Sequence, residues 1–197
     1  MSNVRNYTTA ELLEISSKLP SFKGYPYDYW FLGMRSIEDA PDQFDDKFYL
    51  MKNRTCVKVF EGTTNSGKYG LLNYAKWNKR GCAVLKSNEW YYDFWTPGYH
   101  KGKVKALLQV GKAKVYRDNN KDLRCDETGP VYEGLYGINF HPASYNTEPS
   151  FIKKFIAKFI GMWSVACQIA SVLAEYYQVI YLVWNQKRIT YCLIKET

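Results

Sequence analysis

Histidine is scarce in this chain: its 197 residues include two, His100 and His141. Any chemistry that needs an imidazole must therefore use one of them. The five cysteines, Cys56, Cys82, Cys125, Cys167 and Cys192, are odd in number, and no CxxC pair occurs. Neither a closed disulfide framework nor a zinc knuckle is written here, and a reducing compartment at synthesis is expected. No run approaches the ~18 apolar residues that a spanning helix needs, so no transmembrane segment is predicted. The opening "MSNVRNYTTAELLEISSKLP" lacks an apolar h-region, so no classical signal peptide is expected. An Arg-rich arm and a recognisable nucleic-acid signature are also missing, and nucleic acid is not expected as a partner. "EGTTNSGKYG" carries Gly67-Lys68 but puts Tyr69 where a phosphate-binding loop needs Ser or Thr, which excludes nucleotide binding by that route.

What is abundant is aromatic and basic. The chain holds 18 Tyr, 10 Phe and 6 Trp, a composition that suits strands and extended binding surfaces. A formal net charge of +8 suits an anionic partner such as an envelope polymer, although the basic residues are spread along the sequence. The length fits a single domain over residues 1–197.

Thr8 and Glu11 stand at capping-box spacing before an apolar stripe of Leu12, Leu13 and Ile15, predicting a short helix that Pro20 closes. "DKFYLMKNRTCVKVFEGTT" predicts two strands around a polar turn at Lys52–Arg54. Further strands are predicted in "GCAVLKSNEWYYDFW", "GKVKALLQVGKAKVYRDNN", "YGINFHP" and "RITYCLIKE". In "NEWYYDFW" the alternation puts Trp90, Tyr92 and Phe94 on one side and Tyr91 and Trp95 on the other. "SFIKKFIAKFIG" predicts an amphipathic helix from Ser150 to Gly161, and "QIASVLAEYYQVIYLVW" a second helix after Cys167. The fold class is therefore α+β, a mostly antiparallel β core with helices near both ends. Residues 1–54 supply the N-terminal helix and lead-in strands, and 55–197 the remainder.

Cys167, in a turn predicted to precede a helix, and His141, on a strand, are the residue types of a thiol nucleophile and its base. "FHPAS" followed by "SVACQ" resembles the catalytic signature of the L,D-transpeptidase family, a histidine followed by Ser-His-Gly-Cys. "VFEGTTNSGKYGLLN" is similar to that family's Gly-rich strand region. The resemblance spans roughly residues 55–195 and is closest to a divergent phage-encoded branch. It implies Cys167 as nucleophile, His141 as general base and Ser164 as the serine that shapes the turn. It implies an L,D-transpeptidase-type β core acting on bacterial peptidoglycan stem peptides. The thiolate attacks a meso-diaminopimelate–D-amino acid bond, and an amine or water resolves the thioester. The absence of a signal peptide points towards a phage product, made in the cytoplasm, that acts hydrolytically in the host envelope or is carried in the virion. Val165 and Ala166 replace the motif's second histidine and glycine. Ile169 stands where an Asn or Arg is usual, with Gln168 taking part of that polar role. These departures keep open a non-catalytic virion structural or binding protein on the same scaffold. A cysteine peptidase with a protein substrate is a third reading.

Trp163 and Gln168 flank the cysteine and are expected to contact substrate. His100 is read either as lining the cleft or as a solvated loop residue. "RDNNKDLRCDETG" places Asp118, Asn120, Asp122 and Asp126 at alternate loop positions that suit calcium. Leu123 sits where that loop usually has glycine, and no Glu stands at position 12. A solvated acidic turn without a cofactor is the other reading.

Overall fold

The computed structural model describes residues 3–38, 40 and 42–197. Eleven strands are present among them: β1 (Tyr29–Arg35), β2 (Asp46–Lys52), β3 (Thr55–Thr63), β4 (Cys82–Leu85), β5 (Glu89–His100), β6 (Val104–Gln109), β7 (Ala113–Asp118), β8 (Tyr132–Gly134), β9 (Phe140–Pro142), β10 (Gln168–Ala170) and β11 (Ile189–Lys195). Four short helices accompany them: α1 (Thr9–Ser17), α2 (Lys68–Asn73), α3 (Pro149–Ile152) and α4 (Leu173–Val183). The fold is mixed α+β and dominated by antiparallel pairing. Eight strands close into a barrel in the order β1-β11-β5-β6-β9-β10-β3-β2, and β4-β7-β8 form a separate sheet. Two pairs are parallel, β1 with β11 and β9 with β10.

Bulky rings fill the barrel. Phe31, Phe48, Trp95, Phe140 and Tyr191 are all fully buried, with the Trp95 and Tyr191 rings 4.6 Å apart at their centres. Phe48 and Phe140 lie 5.3 Å apart. Gly33 on β1 makes room for this filling, because a Cβ there would collide with the Tyr191 hydroxyl. The opposite faces of β1, β2 and β11 carry Trp30, Leu32, Tyr49, Met51 and Cys192 into a second core that packs on α1 through Leu12. The α1 N-terminus forms the predicted capping box, with Thr8 and Glu11 each bonding the other's backbone.

A buried cation joins barrel and small sheet. Arg35 at the end of β1 donates from Nε to Thr64 Oγ1 (2.9 Å) and from Nη2 to Thr64 O (3.0 Å). Its Nη1 donates to Leu85 O (2.9 Å) at the end of β4 and to Glu127 Oε1 (2.6 Å). Burial pushes the Glu127 carboxyl up, but the Arg35 charge and the Ser87 hydrogen bonds outweigh it, leaving it below its ordinary value. Asp46 accepts from Ser36 N (2.7 Å), Thr64 N (2.6 Å) and Thr64 Oγ1 (2.7 Å). There burial wins over Arg35 and these donors, and the carboxyl sits above its ordinary value.

Three local expectations need correction. The helix predicted from Ser150 to Gly161 stops at Ile152. Beyond it the chain is drawn across the barrel, where Ala157 N donates to Ser171 O (2.9 Å) and Leu173 N to Phe155 O (3.2 Å), so tertiary pairing overrides the helical period. The helix predicted straight after Cys167 begins at Leu173, because Gln168–Ala170 serve as a strand between β9 and β3. Strand alternation in "NEWYYDFW" breaks at Asp93, whose φ is +51°. Opposite it the β11 register slips between Ile189 and Tyr191. That bulge moves Phe94 to the barrel side with Trp95, while Trp90 and Tyr92 stay with the α1 core.

Gln168 points into the barrel and is fully buried. Its Oε1 accepts from the Tyr191 hydroxyl (2.8 Å), and its Nε2 donates to Thr64 O (3.2 Å). Tyr191→Phe leaves that carbonyl oxygen without its donor, so a loss of about 1–3 kcal/mol is expected in urea unfolding. An unchanged midpoint would show the bond to be dispensable.

Candidate functional site

Residues that share one face of β9 and β10 define the site. Parallel pairing sets Phe140 opposite Gln168 and His141 opposite Ile169. Phe140 and Gln168 face the barrel interior, so strand alternation turns Asn139, His141, Cys167 and Ile169 to the other side. Gln168 N donates to Asn139 O (2.8 Å), which extends the ladder to the cysteine's edge. The predicted base on β9 and the predicted nucleophile, one residue before β10, thus fall on the same side of the paired strands by alternation, although 26 positions separate them in sequence.

Cys167 is partly exposed, and its Sγ donates to Gly137 O at 3.4 Å. Burial of its remaining surface pushes the thiol up to about 11; the Asn139 backbone N–H and the Lys101 charge pull the other way without reversing it. His141 is buried, with its Nδ1 2.9 Å from Pro142 O. A carbonyl can only accept, so that contact puts the imidazole proton on Nδ1 and leaves Nε2 as the basic nitrogen. Nε2 is buried without a hydrogen-bond partner. Burial, then the neighbouring His100, pushes His141 down to about 3 despite the Pro142 bond. Cys167 and His141 therefore share a face without a hydrogen bond between them, and both rest neutral.

His100 lies at the end of β5 and is packed rather than solvated. Its ring stacks on His141 with centroids 4.1 Å apart and planes 18° off parallel. Asn139 Oδ1 accepts from Gln109 N (2.8 Å), which fixes the amide so that Nδ2 faces His100 Nδ1 at 3.3 Å. His100 Nδ1 is thereby the acceptor, and its proton sits on Nε2. Burial and Lys101 lower His100 too. Tyr145 stacks on its far side at 6.2 Å, and Trp163 meets Tyr145 edge-on at 4.9 Å. Trp163 thus reaches the site through Tyr145.

Ser164 is fully buried, and its hydroxyl donates to Cys167 O at 2.8 Å, tying off the turn that carries the thiol. It positions rather than reacts. Glycine lets α2 approach this turn: Gly67 N donates to Ser164 O (3.1 Å), and a Cβ on Gly70 would lie 2.9 Å from Ser164 O and 3.0 Å from Val165 Cα. Ala166 keeps an ordinary negative φ, so its missing glycine costs no strain. Val165 packs against Leu71, Cys82 and Val84 where the motif's second histidine would stand. The thiol is not at a helix N-terminus, since α4 starts six residues later.

A cleft of about 370 Å³ opens beside Cys167, between the turn that carries the thiol and the small sheet. Trp77, Gly81, Cys82, Arg117 and Tyr136 are among its lining residues. Sequence reasoning missed Arg117, Tyr136 and Asn139. The scarcity of histidine was a usable signal for the His100–His141 pairing. Nothing in the sequence brought β7 to the thiol.

In the acidic loop, Asp118, Asp122 and Asp126 each have a carboxylate oxygen within 4.8 Å of the others, and could hold a cation. Leu123 takes a left-handed φ of +71°, the conformation for which the sixth loop position favours glycine. The loop also satisfies itself. Asn120 Nδ2 donates to Asp122 (3.1 Å) and Asp126 (2.8 Å), and Asp126 N to Asp118 (3.1 Å). Burial leads in raising Asp118. Asn120 thus donates from its amide nitrogen to its neighbours' carboxylates, while its Oδ1 accepts from Asp122 N (3.1 Å).

No family model, no curated protein and no solved structure matches this chain. None of the helices described is long and apolar enough to cross a membrane.

Two outcomes are expected of the site. An unfolded histidine titrates near 6.5, whereas folded His141 stays neutral down to about 3. Between those values the unfolded chain binds a proton that the folded chain refuses, so stability falls as pH drops from about 6.5. Urea midpoints measured at pH 7 and pH 5 should diverge, and His141→Gln should shrink the difference; an equal difference in the variant would contradict the burial argument. Gly70→Ala should push the Ser164–Val165 backbone off α2 and change the alkylation rate of Cys167 severalfold, read by peptide mass spectrometry. An unchanged rate would mean that the turn is held independently of α2.

Proposed function

We propose that the protein is a cysteine-dependent acyl-transfer enzyme of the L,D-transpeptidase type. Its substrate is the peptidoglycan stem peptide, and its setting is phage-directed cell-wall degradation or lysis. The observation that carries this reading is the pairing of β9 with β10, which sets His141, with its unpartnered Nε2, opposite Ile169, two residues beyond Cys167. The motif resemblance at "FHPAS" and "SVACQ" and the turn-shaping bond from Ser164 agree with it.

Both groups rest neutral, so thiolate is made when substrate arrives rather than stored. The Cys167 proton passes to His141 Nε2 as sulfur attacks the acyl carbonyl. The bond from Nδ1 to Pro142 O holds the ring in the required tautomer and steadies the imidazolium. That imidazolium then protonates the departing amine, and a thioester forms. Water or a second amine, deprotonated by the same nitrogen, releases the acyl group and restores the thiol. His100, stacked on His141, keeps the base from rotating. Hydrolysis is the expected outcome in a lytic role, and an amine acceptor gives a crosslink by the same steps.

Purified peptidoglycan incubated with the protein and analysed by mass spectrometry tests the proposal. Loss of a terminal D-amino acid, or cleavage of a crosslink, is expected with the native chain and absent with Cys167→Ala. His141→Gln should slow product formation by roughly 10²–10⁴-fold. Without substrate the same variant should leave Cys167 alkylation by iodoacetamide unchanged, because the resting thiol is not ionised by the imidazole. The alkylation rate should keep rising with pH towards about 11, where burial places the thiol. Unaltered muropeptides from folded protein would instead favour a non-catalytic virion or wall-binding protein, and turnover of casein without peptidoglycan cleavage would favour a peptidase.

A further inference from the structure

The cleft beside Cys167 carries a charge that the acyl-transfer reading does not use. Among the described residues lining it, Arg117 on β7 alone is charged, and no acidic side chain faces it there. Its guanidinium is held on two sides. Nη1 donates to Gly81 O at 3.2 Å, and the planar group lies over the Tyr136 ring, 4.8 Å from the centroid. Among the described residues it makes no ion pair. The rest of its donor fork is unspent, and that fork matches a carboxylate in two-point geometry. Cys167 and Arg117 line the same cleft, and every other side chain that lines it is uncharged.

Resting on the cysteine reading of this cleft, we propose that Arg117 is a specificity-determining residue that binds a carboxylate of the acyl donor and so selects anionic donor ends. Two carboxylates flank the scissile bond of a stem peptide: the free one on the diaminopimelate arm and the terminal one on the leaving D-amino acid. Either supplies the chemistry Arg117 reads. Tyr136 holds the guanidinium by its face, and Gly81 holds it by its edge. A lysine could keep the charge at this position but neither the stack nor the fork.

Two readouts test the assignment, and the first needs no peptide. Iodoacetate and iodoacetamide both alkylate a thiol with loss of iodide, and they differ in a carboxylate against an amide. In the full chain the ratio of their rates at Cys167, set against Cys56 as an internal reference, should fall about tenfold in Arg117→Gln. Arg117→Lys should fall part of the way. The second readout is calorimetric binding of a stem tetrapeptide to the Cys167→Ala protein, with two analogues that carry a carboxamide at one or the other carboxylate. Adding Arg117→Gln should weaken the parent peptide about tenfold. One analogue should bind the Arg117 protein that much more weakly and lose nothing further on Arg117→Gln, and it identifies the carboxylate read.

A rate ratio that Arg117→Gln leaves alone overturns the proposal. So does an equal loss for all three peptides, or an absence of binding by any of them. If Cys167 resists both reagents, the calorimetry decides. The catalytic reading fails separately, by unaltered muropeptides, and an Arg117-dependent preference for carboxylates would survive that failure.

Discussion

The buried Arg35 guanidinium is the contact on which the working geometry depends. It ends β1, takes Thr64 from the turn after β3, reaches Leu85 O at the end of β4 and pairs with Glu127 in the acidic loop. A buried cation with fewer partners would be costly, since removing one member of such a pair typically destabilises by about 3–5 kcal/mol. Barrel and small sheet share no strand, and this junction joins them together with the Tyr91 hydroxyl on Lys114 O (3.3 Å) and the Lys114 ammonium on Glu89 (2.9 Å).

Much of the architecture was readable because local rules and tertiary structure agreed. The Thr8–Glu11 box, the turn between β2 and β3 and the closing strand at Ile189–Lys195 follow from caps, turn residues and alternation. The failures came where one level of structure overrode another. Phe151, Ile152, Phe155 and Ile156 have helical spacing, yet backbone pairing with Ser171 and Leu173 ends the helix after one turn. A single left-handed residue, Asp93, reverses the facing of Phe94. Closure of the barrel was invisible in sequence, because pairing of β1 with β11 depends on residues at opposite ends of the fold.

The site was half legible. Cys167, His141 and Ser164 were singled out by residue type and motif; Ser164 ties off the turn that carries Cys167, and His141 stands on the strand that pairs with β10. Gln168 was expected in the cleft, but period-two alternation beside an outward Cys167 obliges it to face inward, where Tyr191 and Thr64 hold it. The replacements Val165 and Ala166 are accommodated differently from one another. Valine fills an apolar pocket under α2, whereas alanine needs no accommodation because the backbone there is ordinary. His100 and Arg117 come from β5 and β7, and spacing along the chain carries no information about which strands will meet.

Parallel pairing of the first barrel strand with the last also bears on how the protein comes into being. Phe31 pairs with Tyr191, and Met34 with Ile194. During synthesis β1 has β2 for company early but lacks its other neighbour until residues 189–195 have left the ribosome. The open edge of β1 and the unfilled interior beside Phe31 and Phe48 must wait through the making of the whole cleft. Contacts of such long sequence separation make for slow folding. Because Tyr191 is also the residue that anchors Gln168, next to the thiol, the site takes its final shape only when the barrel closes. Until β11 is in place, the Gln168 carbonyl in a nascent chain has no Tyr191 hydroxyl to accept from.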